Sequence, residues 1–100
     1  MQCVVCKKET RTLHHLVFGR NRANCDIDSK MGAGMMIPLC DECHTLGRYR
    51  LHDNPVAEHL SKMLGQALWE RWYLVDYGDA DKLSTKAREN FIERYGVSYL

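Results

Sequence analysis

Two C-x2-C pairs constrain this chain more than any other feature of its sequence. They are Cys3 with Cys6 and Cys40 with Cys43. Soft thiolate ligands suit zinc, and four of them complete its tetrahedral coordination, which makes a closed site of the structural kind. We therefore predict a structural Zn²⁺ bound by these cysteines. The alternatives are that one pair is coincidental or that a pair is redox-active.

The cysteine count and the N-terminal sequence favour a reducing compartment. The chain has five cysteines, which cannot all pair, and Cys25 lies outside the two C-x2-C pairs. Its start, MQCVVCKKET, lacks the apolar run of a secretory signal, and no segment resembles a membrane span. We expect a cytoplasmic protein that does not associate with membranes.

Length and composition predict one small globular domain. The chain has 100 residues, 45% of them hydrophobic and 27% charged, as in ordinary soluble proteins. The core of such a domain is modest, and a metal ion often stabilises it. We place a metal-binding core over about residues 1–54 and a helical part over about residues 55–100 of this single domain.

Charge is distributed unevenly along the chain. The net charge is only +1, but residues 1–30 contain six Lys or Arg against three acidic residues, whereas residues 51–79 have a net charge of −3. A nearly neutral total can therefore hide a basic face. This asymmetry is too small to predict nucleic-acid binding by itself.

Hydrophobic patterning predicts two short strands and a first helical segment. Apolar, β-prone residues at 13–18 and 35–39 predict the strands, with a long polar loop at 19–34 between them. A long loop in a compact domain is often functional. A helix then begins near Cys40, and Gly47 interrupts it.

Two further helices follow. Asn54 as cap and Pro55 as first residue predict the start of a long helix. Its apolar residues recur at helical spacing and predict one buried stripe, formed by Val56, Leu60, Met63, Leu64, Ala67, Leu68 and Trp72. The last helix begins near Ser84 and ends at Gly96. The predicted fold class is α+β.

Histidines cluster around the cysteine pairs in the sequence. His14 and His15 lie on the first predicted strand, His44 directly follows the second cysteine pair, and His52 comes eight positions later. A lone histidine is usually an ordinary hydrogen-bonded residue, but this grouping favours a second metal site. His59 lies apart on the long helix, and we assign it no role.

In this order the cysteines and histidines resemble the HNH, or ββα-metal, endonucleases in their zinc-knuckled form. The segments HHLVFG, PLCDECH and HDNP, with the ending FIERYGVSYL, are similar to small phage and prophage HNH proteins, some of them linked to recombination. The resemblance covers nearly the whole chain. It implies a single HNH-like nuclease domain, with a ββα-metal core, a structural zinc knuckle and C-terminal α-helices.

The resemblance also implies a role for each histidine. His15, the second residue of the histidine pair, becomes the general base that removes a proton from water. His14 and His44 become ligands of a catalytic Mg²⁺, Mn²⁺ or other divalent metal, and His52 becomes a further ligand. The expected reaction is hydrolysis of DNA phosphodiester bonds, which needs an activated water and positive charge near the leaving oxygen.

Basic residues near these histidines are candidate DNA contacts. Arg48 and Arg50 lie between the last two histidines of the motif and are predicted to bind a phosphate in a forked geometry. The loop residues Arg20, Arg22 and Lys30 are predicted to hold flanking phosphates. For each of them the ordinary alternative is a solvated side chain.

One position departs from the family pattern. The asparagine that supplies the middle letter of HNH usually precedes the second cysteine pair by a few residues, where this chain has Met35. Asn21, Asn24 or Asn54 are possible substitutes, because this asparagine often orients the catalytic histidine and does not react. The departure supports a second hypothesis, a non-catalytic zinc-binding module that binds DNA or a protein partner. The structure of the DNA substrate and the oligomeric state stay open.

Overall fold

The protein has a small α+β fold, which confirms the predicted class. The computed structural model describes residues 1–18, 35–77 and 80–100, with the backbone alone for 75–77 and 80–85. Its elements are strand β1 (Leu13–His15), strand β2 (Met36–Pro38), a π-helical turn (Glu42–Leu46), helix α1 (Pro55–Tyr77) and helix α2 (Ala80–Tyr95). None of the helices in these residues has the length and apolar character that a membrane span requires.

The predicted loop between the strands lies outside the described residues. It contains Arg20, Arg22, Cys25 and Lys30. Their predicted roles are therefore unchanged by the structure.

Strands β1 and β2 form a two-stranded antiparallel sheet in which His14 lies opposite Ile37. Both strands are shorter than predicted, with three residues each. Pro38 ends β2, and its carbonyl accepts a hydrogen bond of 3.0 Å from the N–H of Val4. This bond attaches the first cysteine pair to the strand that leads to the second pair.

The segment after β2 forms a π-helical turn where the sequence predicts the start of a helix. The N–H of Gly47 donates to the carbonyl of Glu42 over 2.7 Å, which closes this wider turn. A Cβ atom on Gly47 would lie 2.5 Å from the same oxygen. Only glycine fits there, which explains why Gly47 interrupts the helical pattern.

Helix α1 begins at the predicted cap. The side-chain oxygen of Asn54 accepts a hydrogen bond of 3.2 Å from the N–H of Ala57, and its carbonyl accepts one of 2.9 Å from the N–H of Glu58. Pro55 is the first helical residue, where its missing N–H costs nothing. The cap prediction is confirmed.

The buried face of α1 differs from the predicted apolar stripe. The buried residues are Ser61, Gly65, Gln66 and Trp69. The exposed residues of the predicted stripe include Val56, Leu60 and Leu64, at 69%, 56% and 46% exposure. A Cβ atom on Gly65 would lie only 2.7 Å from the side chain of Val17, so α1 lies directly against the end of β1. This close approach needs a small residue, and it turns the neighbouring polar side chains inward.

The main core lies between the two helices and the residues that flank the strands. It consists of Val17, Met35, Trp69, Phe91 and Tyr95. The rings of Trp69 and Phe91 meet edge to face, with centroids 5.6 Å apart. Phe91 and Tyr95 of α2 are buried, whereas Ile92 is 38% exposed. Gly96 has a φ of +88° and ends α2, which confirms the predicted stop.

Candidate functional site

The cysteines of the two predicted pairs meet at one point. Their sulfur atoms lie within 4.8 Å of one another, and none of them forms a disulfide. The Sγ atoms of Cys6 and Cys40 are 3.6 Å apart. Two sulfurs bound tetrahedrally to one zinc, with bonds of about 2.3 Å, would lie about 3.8 Å apart. This cysteine tetrad (Cys3, Cys6, Cys40 and Cys43) therefore fits a metal such as Zn²⁺.

The pKa values of two of these thiols are consistent with binding of a cation. Burial opposes ionisation of Cys3, but hydrogen bonds from the backbone of Cys40, Cys6 and Val5 outweigh it and lower the pKa of the Cys3 thiol to about 6. Burial and the neighbouring sulfurs raise the pKa of the Cys43 thiol to about 12. Thiols this close cannot all ionise unless a cation balances their charge.

A second group of ligand atoms comes from three histidines, one of which, His44, directly follows Cys43. Ring nitrogens of His14, His44 and His52 lie within 4.8 Å of one another, and we call these residues the histidine cluster. His14 Nδ1 is 3.2 Å from His44 Nε2. Two nitrogens bound to one metal, with bonds of about 2.1 Å, would lie roughly 3.0 to 3.4 Å apart. The structure thus brings together the histidines that the sequence predicts as metal ligands.

Backbone hydrogen bonds explain the long spacing within the histidine cluster. The N–H of Leu51 donates to the carbonyl of Cys43 over 2.7 Å, and the N–H of His52 donates to the carbonyl of His44 over 3.1 Å. The chain therefore folds back after the π-helical turn. The fold-back places His52 beside His44, with ring centroids 4.7 Å apart, although eight positions separate them in the sequence.

Ser61 determines which nitrogen of His14 faces the other histidines of the cluster. Its hydroxyl donates to the carbonyl of Leu16 over 2.8 Å, so it accepts the bond of 2.8 Å that links it to His14 Nε2. The proton of His14 is then on Nε2, and Nδ1 carries the lone pair that faces His44. His14 and Ser61 are both buried, which keeps water from competing for this bond.

Glu58 has the same role for His52. His52 Nδ1 lies 3.1 Å from a carboxylate oxygen of Glu58 and donates to it, which leaves Nε2 available to a metal. Glu58 and Ser61 are three residues apart on α1 and therefore share a face of the helix. Neither residue was predicted from the sequence. Glu58 follows His52 closely enough to be a candidate, but no local signal connects Ser61 with His14.

Burial lowers the pKa of two members of the histidine cluster, His14 and His44. It lowers the pKa of His14 to about 4, and His44, His52 and His15 add to the effect. Burial, together with His52, also lowers the pKa of His44, while Asp41 opposes this shift. A neutral imidazole has the lone pair that a metal ion requires. The environment of these residues therefore suits metal binding.

His15 lies outside the histidine cluster. Neighbouring side chains of a strand alternate in direction, so His14 is buried within the cluster while the half-buried His15 takes no part in it. Its role as general base stays a prediction. His59 is exposed on α1, where its ring lies 6.4 Å from that of Tyr99, and it takes no part in the cluster.

The two arginines between His44 and His52 have different surroundings. The guanidinium of Arg50 donates to the carbonyl of Gly47 over 3.1 Å and to the carboxylate of Asp53 over 3.2 and 3.3 Å. Arg48 is exposed, and its guanidinium carbon lies 5.6 Å from the ring centre of Tyr49. The side chain of Arg50 thus supports the turn, whereas Arg48 is accessible to a ligand.

Met35 is a core residue. It is 2% exposed and packs in the main core, so the position where the family has asparagine supplies an apolar contact. Among the proposed substitutes, Asn54 uses its side-chain oxygen to cap α1. Asn21 and Asn24 lie outside the described residues.

We expect Glu58→Gln and Ser61→Ala to weaken metal binding at the histidine cluster. Groups that orient a ligand histidine typically contribute about 10- to 100-fold in metal affinity. Calorimetric titration of the zinc-loaded variants with Mn²⁺ or Co²⁺ measures this effect. Glu89→Gln, at an exposed position of α2, is the matched control. Wild-type affinity in both Glu58→Gln and Ser61→Ala would contradict their role.

Comparison of this chain with protein-family models, with curated proteins and with solved structures gave no significant match. The resemblance to HNH endonucleases therefore depends on the order and spacing of the cysteines and histidines and on the short segments around them.

Proposed function

We propose that this protein is a metal-dependent endonuclease that hydrolyses DNA phosphodiester bonds. The observation that carries the proposal is the presence of two different sets of ligands, the cysteine tetrad and the histidine cluster. A four-cysteine site is closed and structural, whereas three imidazole ligands leave coordination positions for a substrate. The strands β1 and β2 and the π-helical turn would then form the metal-binding part of a ββα-metal domain.

Each residue of the site would have its own role in the reaction. His14, His44 and His52 would hold the divalent ion, which supplies positive charge to the scissile phosphate and the leaving oxygen when bound. His15 would accept the proton of the attacking water, since imidazole both accepts and releases protons near neutral pH. Arg48 would pair with a phosphate oxygen.

We expect the zinc-loaded protein to nick supercoiled plasmid when Mg²⁺ or Mn²⁺ is added. His44→Ala removes a predicted ligand and should reduce nicking by about 100-fold or more, because the charge that the metal supplies is worth several kcal/mol in the transition state. Gel electrophoresis of the open-circular product measures the rate. His59→Ala, at an exposed histidine of α1, should nick like the wild type. Equal nicking by His44→Ala would contradict the proposed metal site.

Met35 in the main core favours a second candidate function, a non-catalytic zinc-binding module that binds DNA. An asparagine that orients a catalytic histidine is polar, and this position is apolar and buried. DNA binding without cleavage under each divalent metal tested would favour this function over an endonuclease. By the same resemblance to phage and prophage proteins, we place either function in DNA processing or recombination.

A further inference from the structure

An open cleft lies beside the histidine cluster. It has a volume of about 250 Å³, and its lining includes Arg48, Tyr49, Arg50 and His52. His52 also belongs to the histidine cluster, so one predicted metal ligand lines the cleft. Pockets that enclose a whole small molecule have volumes of about 300 to 1,000 Å³. This cleft is therefore of a size to hold one planar group of a larger ligand.

Tyr49 presents its ring almost fully to solvent. It is 85% exposed, more than any other large hydrophobic side chain in the described residues. The guanidinium carbon of Arg48 lies 5.6 Å from the ring centre. Aromatic rings and guanidinium planes are the surfaces on which unpaired bases stack. The turn thus offers a base-stacking surface with a positive charge beside it.

Hydrogen bonds stabilise the turn that carries Tyr49. The N–H of Arg50 donates to the carbonyl of Gly47 over 3.2 Å, and its guanidinium joins Gly47 to Asp53. The next residue, Leu51, is bonded to the backbone of Cys43 in the tetrad. A pre-formed turn loses little backbone freedom when a ligand binds.

We infer that this cleft binds an unpaired nucleobase of the DNA strand that is cut, with the base stacked on Tyr49 and Arg48 on an adjoining phosphate. This inference rests on the proposed nuclease function and specifies its substrate. In a regular duplex the neighbouring pairs cover both faces of each base, so the ring reaches a base only in single-stranded, gapped or flipped-out DNA. The preferred substrate is DNA with an unpaired base beside the scissile bond.

Binding of a fluorescent single-stranded oligonucleotide, measured by anisotropy without added divalent metal, tests the inference. Tyr49→Ala should raise the Kd by about fivefold or more, because stacking on an aromatic side chain contributes at least that much per base. Tyr49→Phe keeps the ring and should bind like the wild type. Leu46→Ala is the matched control, since Leu46 is 73% exposed in the same segment. A duplex of the same sequence should bind Tyr49→Ala and the wild type alike.

The outcomes separate this inference from the proposed function. Equal binding of single-stranded DNA by the wild type and Tyr49→Ala would overturn the inference, even if the protein nicks plasmid. Weak binding by Tyr49→Phe would also overturn it, because the ring would then be insufficient. Binding that depends on Tyr49 in a protein that cuts no DNA would support the base-binding cleft and reject the nuclease.

Discussion

We expect Cys40→Ser to abolish metal binding at the cysteine tetrad and to unfold the domain. Cys40 is 5% exposed and forms a small core with Cys3 and Leu39 around the tetrad. Structural zinc contributes about 10 to 16 kcal/mol of apparent free energy in zinc-finger peptides. A domain has a total stability of about 5 to 15 kcal/mol. Loss of the closed site therefore removes free energy comparable with the whole stability of the fold.

Native mass spectrometry and thermal unfolding measure the two parts of this result. Cys40→Ser should carry no tightly bound zinc and should lose the cooperative melting transition of the wild type. Cys25→Ser is the matched control, because this cysteine lies outside the two C-x2-C pairs. A Cys40→Ser protein that melted like the wild type would show that the tetrad is not structural.

We expect His15→Ala to abolish the proposed nicking activity and to leave metal binding at the cysteine tetrad and the histidine cluster unchanged. His15 lies outside the histidine cluster, so its removal deletes no predicted ligand. A general base typically contributes about 10²- to 10⁴-fold to the rate, and the variant should lose activity in this range. The side chain is only half-buried, so we expect a small change in the free energy of unfolding.

Single-turnover nicking, zinc content and Mn²⁺ titration distinguish this role from a structural one. The variant should bind Mn²⁺ and zinc as the wild type does while the cleavage rate falls. His59→Ala controls for removal of a histidine elsewhere on the surface. Cleavage at the wild-type rate would exclude His15 as the base, and loss of Mn²⁺ binding would make it part of the metal site.

Much of the ligand set was predictable because it follows from chemical type and short spacing. Each C-x2-C pair brings its thiols together within one turn, and soft sulfur ligands select zinc wherever two such pairs meet. The structure confirms that Cys3, Cys6, Cys40 and Cys43 form one tetrad. The start of α1 was predictable for a similar reason, since Asn54 caps a residue only three positions away.

The residues that orient the histidines were not predictable from local pattern. Ser61 reaches His14 because Gly65 lets α1 approach the end of β1, a contact between segments far apart in the chain. The same approach buries Gln66, whose side chain accepts the N–H of Tyr99 over 2.6 Å and donates to Ser98 over 3.0 Å. A stripe of apolar residues predicts the buried face of a helix poorly where buried polar side chains have hydrogen-bond partners of this kind.

The sequence by itself therefore determined the chemical types of the ligands, the strand and helix order and the helix boundaries at Asn54 and Gly96. These features depend on residues within a few positions of one another. Only the tertiary structure decided which side chains orient His14 and His52, and which face of α1 is buried. The reason is that strand register, the fold-back at Leu51 and helix approach at Gly65 depend on contacts between distant segments.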